Sequence, residues 1–317
     1  MSGPVVVALG GGHGLAVTLE AWRRVTPALT AVVTVADDGG SSGALRASYG
    51  CLPPGDLRMA VTALCAPEGP PARWAQLLQH RYPDGPLAGH AVGNLLLLAA
   101  WQRQPGDPVD GLDTLVDLVG ASGRVLPMST RPLHIVADVL APGARDPHEV
   151  RGQHAVAVAP GHVVEVRLDP AAPPACPQAV DAVAAADVVV LGPGSWFSSV
   201  LPHLLVPDLA AALATTKALR VVTLNLAAQP GETDGFSPET HLEVLSAYAP
   251  TLGVDVVLAD DAASAGHPRL ADAAAALGAR LVLAPLARGD GTARHDPDAL
   301  AAAYGALVGH GRIPPWR

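Results

Sequence analysis

The chain has 317 residues, 20 basic and 29 acidic side chains for a formal net charge of −9, and half of its residues are hydrophobic. That apolar share suffices for a large buried core, while the acidic balance argues against a nucleic-acid partner, which needs a basic stripe to displace counterions. Three cysteines, Cys51, Cys65 and Cys176, without C-x-x-C spacing exclude a disulfide framework and a four-thiolate zinc site.

Met1 runs straight into the strand-like segment 5–9 with no basic leader or cleavage site, and no apolar run approaches the ~20 residues of a membrane span. A cytoplasmic location without membrane insertion is expected. Further strands are predicted at 31–36, 188–191, 221–224, 254–258 and 281–283. Helical patterns fill 15–24, 57–65, 72–80, 92–102, 111–120, 178–186, 208–216, 239–248, 269–277 and 297–308. The alternation predicts an α/β fold: a Rossmann-like, mainly parallel sheet with helices on both faces. Residues 124–168 break the pattern. Segments 124–127, 133–140, 149–158 and 163–168 read as a meander without helices, an antiparallel strand block inserted into a single domain spanning 1–317. The tail 309–317 is expected to be surface coil.

Ligands of an open parallel sheet sit beyond the carboxyl ends of its strands, so the loops there carry the candidate chemistry. Gly10-Gly11-Gly12-His13-Gly14 joins the first strand to a helix, where glycines admit close backbone approach and free N–H groups favour an anion. It is not the dinucleotide fingerprint, because the third glycine would fall on Leu15 or Val17. After the second strand comes Asp37-Asp38-Gly39-Gly40-Ser41-Ser42-Gly43. Carboxylates in that place take ribose hydroxyls or hold Mg²⁺ against a diphosphate. The same run matches G-x-S-x-G, but two acids and two glycines separate strand from serine, and the match reads as chance.

Pro53-Pro54-Gly55-Asp56-Leu57-Arg58 reads as a rigid turn with Asp56 as helix cap and Arg58 within reach of a phosphate. Gly89-His90-Ala91-Val92-Gly93-Asn94 opens another helix; Asn94 either caps or binds, and His90 is a candidate general base. Gly192-Pro193-Gly194-Ser195 repeats the strand–glycine–helix geometry. The long polar loop 225–237 contains Asn225 and Gln229, and Arg294-His295-Asp296-Pro297 precedes the final helix. Lys217 is the single lysine and no Walker motif exists, which excludes a P-loop NTPase.

Taken in order, GGGHG at 10–14, VTVADDGGSSGALR at 33–46, PPGDLR at 53–58, GHAVGNLLL at 89–97, GRVLP at 123–127, VVVLGPGSWFSSVLPHLLVP ending at 207, NLAAQPGETDGFS at 225–237 and RHDP at 294–297 resemble the YvcK-type gluconeogenesis factors. That family is related to the 2-phospho-L-lactate transferases. His13, Met59, Trp196-Phe197 and Ala227-Ala228 depart from its usual pattern. The resemblance implies a homodimeric regulatory protein that binds a nucleotide sugar such as UDP-N-acetylglucosamine, linked to gluconeogenic growth, cell shape and envelope synthesis. On that reading Gly11, Gly12, His13, Gly194 and Ser195 hold the diphosphate, and Asp37 and Asp38 meet ribose or Mg²⁺. Ser41, Ser42, Asn94, Asn225, Gln229 and Arg294 complete the ligand pocket. The alternative is a transferase moving a phospho-lactate-type group from an activated nucleotide, with Mg²⁺ on Asp37 and Asp38 and His90 as base.

Overall fold

The computed structural model describes residues 3–229 and 231–309. The first half runs β1 (Val6–Gly10), α1 (Gly12–Trp22), β2 (Leu29–Val33), α2 (Gly40–Tyr49), α3 (Pro54–Ala63), α4 (Gly69–Gln79), α5 (Val92–Arg103), α6 (Pro108–Val119) and β3 (Arg124–Pro127). A second block follows: β4 (His134–Leu140), β5 (His148–Arg151), α7 (Gln153–Val158) and β6 (His162–Asp169). The chain continues through α8 (Pro177–Ala185), β7 (Val188–Leu191), a π-turn (Trp196–Val200), a 3₁₀ turn (Leu201–Leu205), α9 (Pro207–Thr215) and β8 (Leu219–Thr223). It closes with α10 (Pro238–Tyr248), β9 (Val256–Asp260), α11 (Asp261–Ser264), α12 (Leu270–Ala276), β10 (Arg280–Ala284) and α13 (Pro297–Gly309).

Seven strands form one parallel sheet in the order β10-β9-β8-β7-β1-β2-β3. The five residues of β1 and of β9 are buried throughout. Helices cover both faces, and this is why these strands read as unbroken apolar runs rather than alternating ones. The topology decides where a ligand goes. From β1 the chain builds outward through β2 to β3, then returns and builds the other way from β7 to β10. The carboxyl ends of β1 and β7 therefore flank the switch point, the crevice that open α/β sheets use for ligands. On the far side of α1, Trp22 stacks on Tyr304 of α13 with centroids 4.7 Å apart, and the Tyr304 hydroxyl meets Thr223 at 2.9 Å.

The inserted block is a separate antiparallel sheet, β5-β4-β6. Three details differ from the expectation. Segment 124–127 leaves the meander and pairs with β2 as an edge strand of the parallel sheet, because the preceding α6 makes it the end of a βα unit. Segment 149–158 splits at Gly152, whose φ of 104° turns the chain from β5 into α7. The Gly/Ser run expected as a loop becomes α2: its glycines lower helix propensity, but Leu45 is buried and Gly50 closes the helix in the left-handed conformation. Ties between the block and the body include the Arg46 guanidinium donating to the Leu133 carbonyl at 2.7 Å and the Val166 N–H donating to the Tyr248 hydroxyl.

Among the described residues no single helix is long and apolar enough to cross a membrane. Cys65 and Cys176 are buried and Cys51 is half-buried, all as free thiols, in keeping with a packing role. Of the expected coil at 309–317, Gly309 ends α13 and the rest lies outside the described residues.

Candidate functional site

Among the described residues, two sizeable cavities at the carboxyl edge of the sheet carry the candidate site residues. The smaller, about 380 Å³, lies at the switch point. One wall is His13, Gly14 and Val17 of α1, a second is Pro193 and Gly194 after β7, and a third is Asn225–Gln229 after β8. The fourth wall carries Arg288, Arg294 and His295. Close packing demands glycine here: a Cβ on Gly14 would stand 2.2 Å from the Pro193 carbonyl oxygen. Asn225 braces the opposite side by gripping one residue twice, accepting from the Gly194 N–H and donating to the Gly194 carbonyl, both at 2.9 Å.

The arginine wall is positioned by a buried carboxylate. Asp260, at the end of β9, accepts from the backbone N–H groups of Leu286 at 2.7 Å and Ala287 at 3.0 Å. It also caps α11 through Ala263. The following turn closes on itself when the Arg288 N–H donates to the Arg294 carbonyl at 3.0 Å. Both arginines are exposed, and neither forms an ion pair with a carboxylate among the described residues. Beneath them His295 is 7 % exposed with Nε2 unpartnered, and burial pushes its imidazolium pKa down to about 4. Gln229 Oε1 is likewise buried without a partner. Arg288 Nε donates to the His295 carbonyl at 3.3 Å, and the remaining guanidinium N–H groups of Arg288 and Arg294 suit a ligand offering an anion.

The larger cavity, about 580 Å³, is lined by Asp37, Ser41, Ser42, Asp56, Arg58, Arg81 and His90, with His154 of the inserted block at its rim. Gly11 and Gly12, expected to hold the diphosphate, line neither cavity. A Cβ on Gly11 would fall 2.6 Å from Asp56 Oδ2, so the glycine loop is shaped around that carboxylate. Asp56 does not cap its helix; the cap residue is Pro53. Burial first and the neighbouring Asp37 second raise its pKa to about 7, against the opposing pull of the Gly12 N–H and Arg58. Arg58 is 3 % exposed and its Nε has no partner. Burial, then Arg81, lowers its pKa to about 10.

The two adjacent aspartates part company. Asp37 faces the larger cavity. Asp38 turns toward the inserted block, accepts from the His154 N–H at 3.0 Å, and lies so close to Gly152 that a Cβ there would sit 2.2 Å from its Oδ2. Asp37 and Asp38 thus do not converge on one ion; Asp37 and Asp56 line one cavity. Two carboxylates fit a Mg²⁺ that is held mainly by substrate phosphates; among the described residues there is no cluster of three or more metal-ligating side chains.

Ser195 also lines neither cavity. The buried Glu232 carboxylate faces the Ser195 and Ser198 hydroxyls and the backbone N–H groups of Trp196 and Ser198, without any approach closing to a hydrogen bond, and burial raises its pKa. His13, Gly194, Asn225, Gln229 and Arg294 share the smaller cavity, while Asp37, Ser41, Ser42 and His90 share the larger one. Asn94 is buried and reaches the larger cavity through Ser41.

The family model for the 2-phospho-L-lactate transferase CofD matches residues 6–281. A gluconeogenesis-factor relative from Mycobacterium leprae is 53 % identical, with 98 % of this chain and 88 % of that protein covered. The chain belongs to the gluconeogenesis-factor family. The gluconeogenesis factor of Listeria innocua is 35 % identical, with 96 % of both chains covered. The crystal structure of a UPF0052-family protein from Bacillus halodurans superposes with a TM-score of 0.85 at 32 % identity, covering 96 % of this chain and 99 % of that one.

In this gluconeogenesis-factor chain, sequence reasoning missed Arg288, Arg81 and His154 and undervalued Asp56 and His295. For Asp56 a signal existed in PPGDLR: an acid two residues beyond a proline pair lies inside the helix, past the capping position. Asp296 does cap α13, accepting from the N–H groups of Asp298 and Ala299 at 2.8 and 2.9 Å, as its place before Pro297 predicts.

Proposed function

We propose that this member of the gluconeogenesis-factor family is a cytoplasmic, homodimeric regulatory protein that binds a nucleotide sugar of the UDP-N-acetylglucosamine type, linking gluconeogenic growth to envelope synthesis and cell shape. One observation supports the reading above the others. Arg288 and Arg294, free of ion pairs among the described residues, converge with the glycine turns after β1 and β7 on the topological switch point. A diphosphate there meets two guanidiniums and the first turn of α1, which has no side-chain cap. Gln229 and His295 line the cavity where the nucleoside would sit, and the larger cavity takes the group that the diphosphate carries. Gln229 begins the QPGETDG loop, so occupancy is felt at a surface that a partner protein can read.

The Asp37–Asp56 pair favours a second reading, a phospho-lactate-type transferase. An Asp56 carboxyl with its pKa near 7 is poised to take the proton of an acceptor hydroxyl at neutral pH. Mg²⁺ held by Asp37 and the donor's own phosphates would supply charge neutralisation for the departing nucleoside monophosphate, leaving Asp56 free as the base. Calorimetric titration with UDP-N-acetylglucosamine, with and without Mg²⁺, followed by chromatography of the recovered ligand, separates the two. Micromolar binding with intact ligand, weakened in Arg294→Ala, supports the regulator. Consumption of the nucleotide supports the transferase, and absence of heat at millimolar ligand overturns the nucleotide-sugar reading. Sedimentation of the purified chain checks the dimer.

A further inference from the structure

The G-x-S-x-G match at Gly39–Gly43 reads as chance in the sequence; the structure gives it a setting. Ser41 is the second residue of α2, directly after Gly40, whose φ of 47° only glycine adopts readily. Gly39 at the cap offers no side chain, so the first-turn N–H groups have no side-chain acceptor. Ser41 Oγ lies 3.0 Å from His90 Nδ1. It also accepts from the Asn94 amide at 3.0 Å, and Asn94 is 1 % exposed, which fixes that donor in place. Asn94 donates to the oxygen, which leaves the serine proton free to reach His90 Nδ1 in the tautomer that carries the imidazole proton on Nε2. Ser42, by contrast, is committed to the Gly55 N–H at 2.9 Å. Arg58 and Arg81 line the same cavity and give it two guanidiniums.

We propose that Ser41 is a nucleophile activated by His90, giving the larger cavity an esterase activity toward small carboxylic esters that bear an anionic group for Arg58 and Arg81. Ser41 Oγ forms a bond to the ester carbonyl carbon while its proton passes to His90 Nδ1. The carbonyl oxygen's negative charge faces the first-turn N–H groups of α2. Collapse breaks the bond to the alcohol oxygen, which leaves with the proton from His90. Water, deprotonated by His90, then releases the carboxylic acid and restores Ser41. Nothing in this sequence uses a nucleotide, so its test is separate from the titration above.

The test is labelling of the full-length protein with a fluorophosphonate probe, read by intact mass and peptide mapping, alongside hydrolysis of p-nitrophenyl acetate. Expected are one adduct on Ser41, none in Ser41→Ala, and labelling slowed roughly a hundredfold in His90→Gln, the loss typical of a removed general base. Ester hydrolysis should fall in parallel with labelling. The wild-type protein alone can refute the idea, whatever the variants do to folding: no Ser41 adduct at millimolar probe overturns it. So does labelling of Ser41 at an unchanged rate in a folded His90→Gln protein.

Discussion

Replacing Asp56 by Asn tests the electrostatics on which both functional readings lean. The native carboxyl titrates near 7 and the unfolded one near its ordinary 3.8. Below both values each state holds the proton and pH has no effect. Between them the unfolded chain sheds a proton that the native chain keeps, so native stability declines as pH rises; above about 7 the loss is complete. Three pH units at about 1.4 kcal/mol each give about 4 kcal/mol for a fully dry carboxyl. Asp56 is only partly buried and borders an open cavity, which brings the expected swing to about 2 kcal/mol. Asn keeps an oxygen for the Gly12 N–H but cannot ionise. A wild-type pH profile would hide the effect. His203 and His295, both held near 4 by burial, lose stability as pH falls through the same window and oppose Asp56. The informative quantity is the stability difference between Asp56→Asn and wild type, from urea unfolding at pH 4.5 and pH 8. The variant should gain about 2 kcal/mol on moving to pH 8. A difference that stays constant within ~0.5 kcal/mol would refute the raised pKa and the proton-transfer role built on it.

Arg294→Ala should weaken UDP-N-acetylglucosamine binding roughly ten- to hundredfold by calorimetry, as expected for a lost charge-assisted contact. Its melting temperature should not change, because Arg294 is exposed and makes no ion pair among the described residues. Gly14→Ala places a methyl 2.2 Å from the Pro193 carbonyl oxygen and 2.7 Å from Gly194 Cα. It should cost about 2–3 kcal/mol in urea unfolding; a cost near zero would show that the turn yields. Asp38→Ala removes the acceptor of the His154 N–H and should cost about 1 kcal/mol. Hydrogen exchange should speed up in α7 with nucleotide affinity unchanged, whereas a loss of affinity would return Asp38 to the ligand site.

Periodicity alone established the α/β class, the burial of the central strands on both faces and the existence of an inserted strand block, because each is a statement about which residues leave water. The glycine turns at 10–14 and 192–194, the Asp37 loop and Arg294 were legible for the same local reason: each is a loop after a strand or before a helix whose residue types suit a ligand. What the sequence could not determine is partnership across the chain. Asp37 and Asp38 are neighbours in sequence with the same chemistry; only the docking of α7 sends one to a cavity and the other to a cap. Segment 124–127 has a strand's composition in either sheet, and its pairing with β2 depends on where α6 delivers it. Arg288 stands in an unremarkable turn until Asp260, 28 residues earlier, fixes that turn at the switch point. Ser41 and His90 are 49 residues apart, and their 3.0 Å contact exists because α2 and the start of α5 meet over one cavity. Burial depends on the residue and its near neighbours, so one dimension encodes it well. Proximity between distant loops is set by the order in which seven strands pair, and only the folded chain decides that.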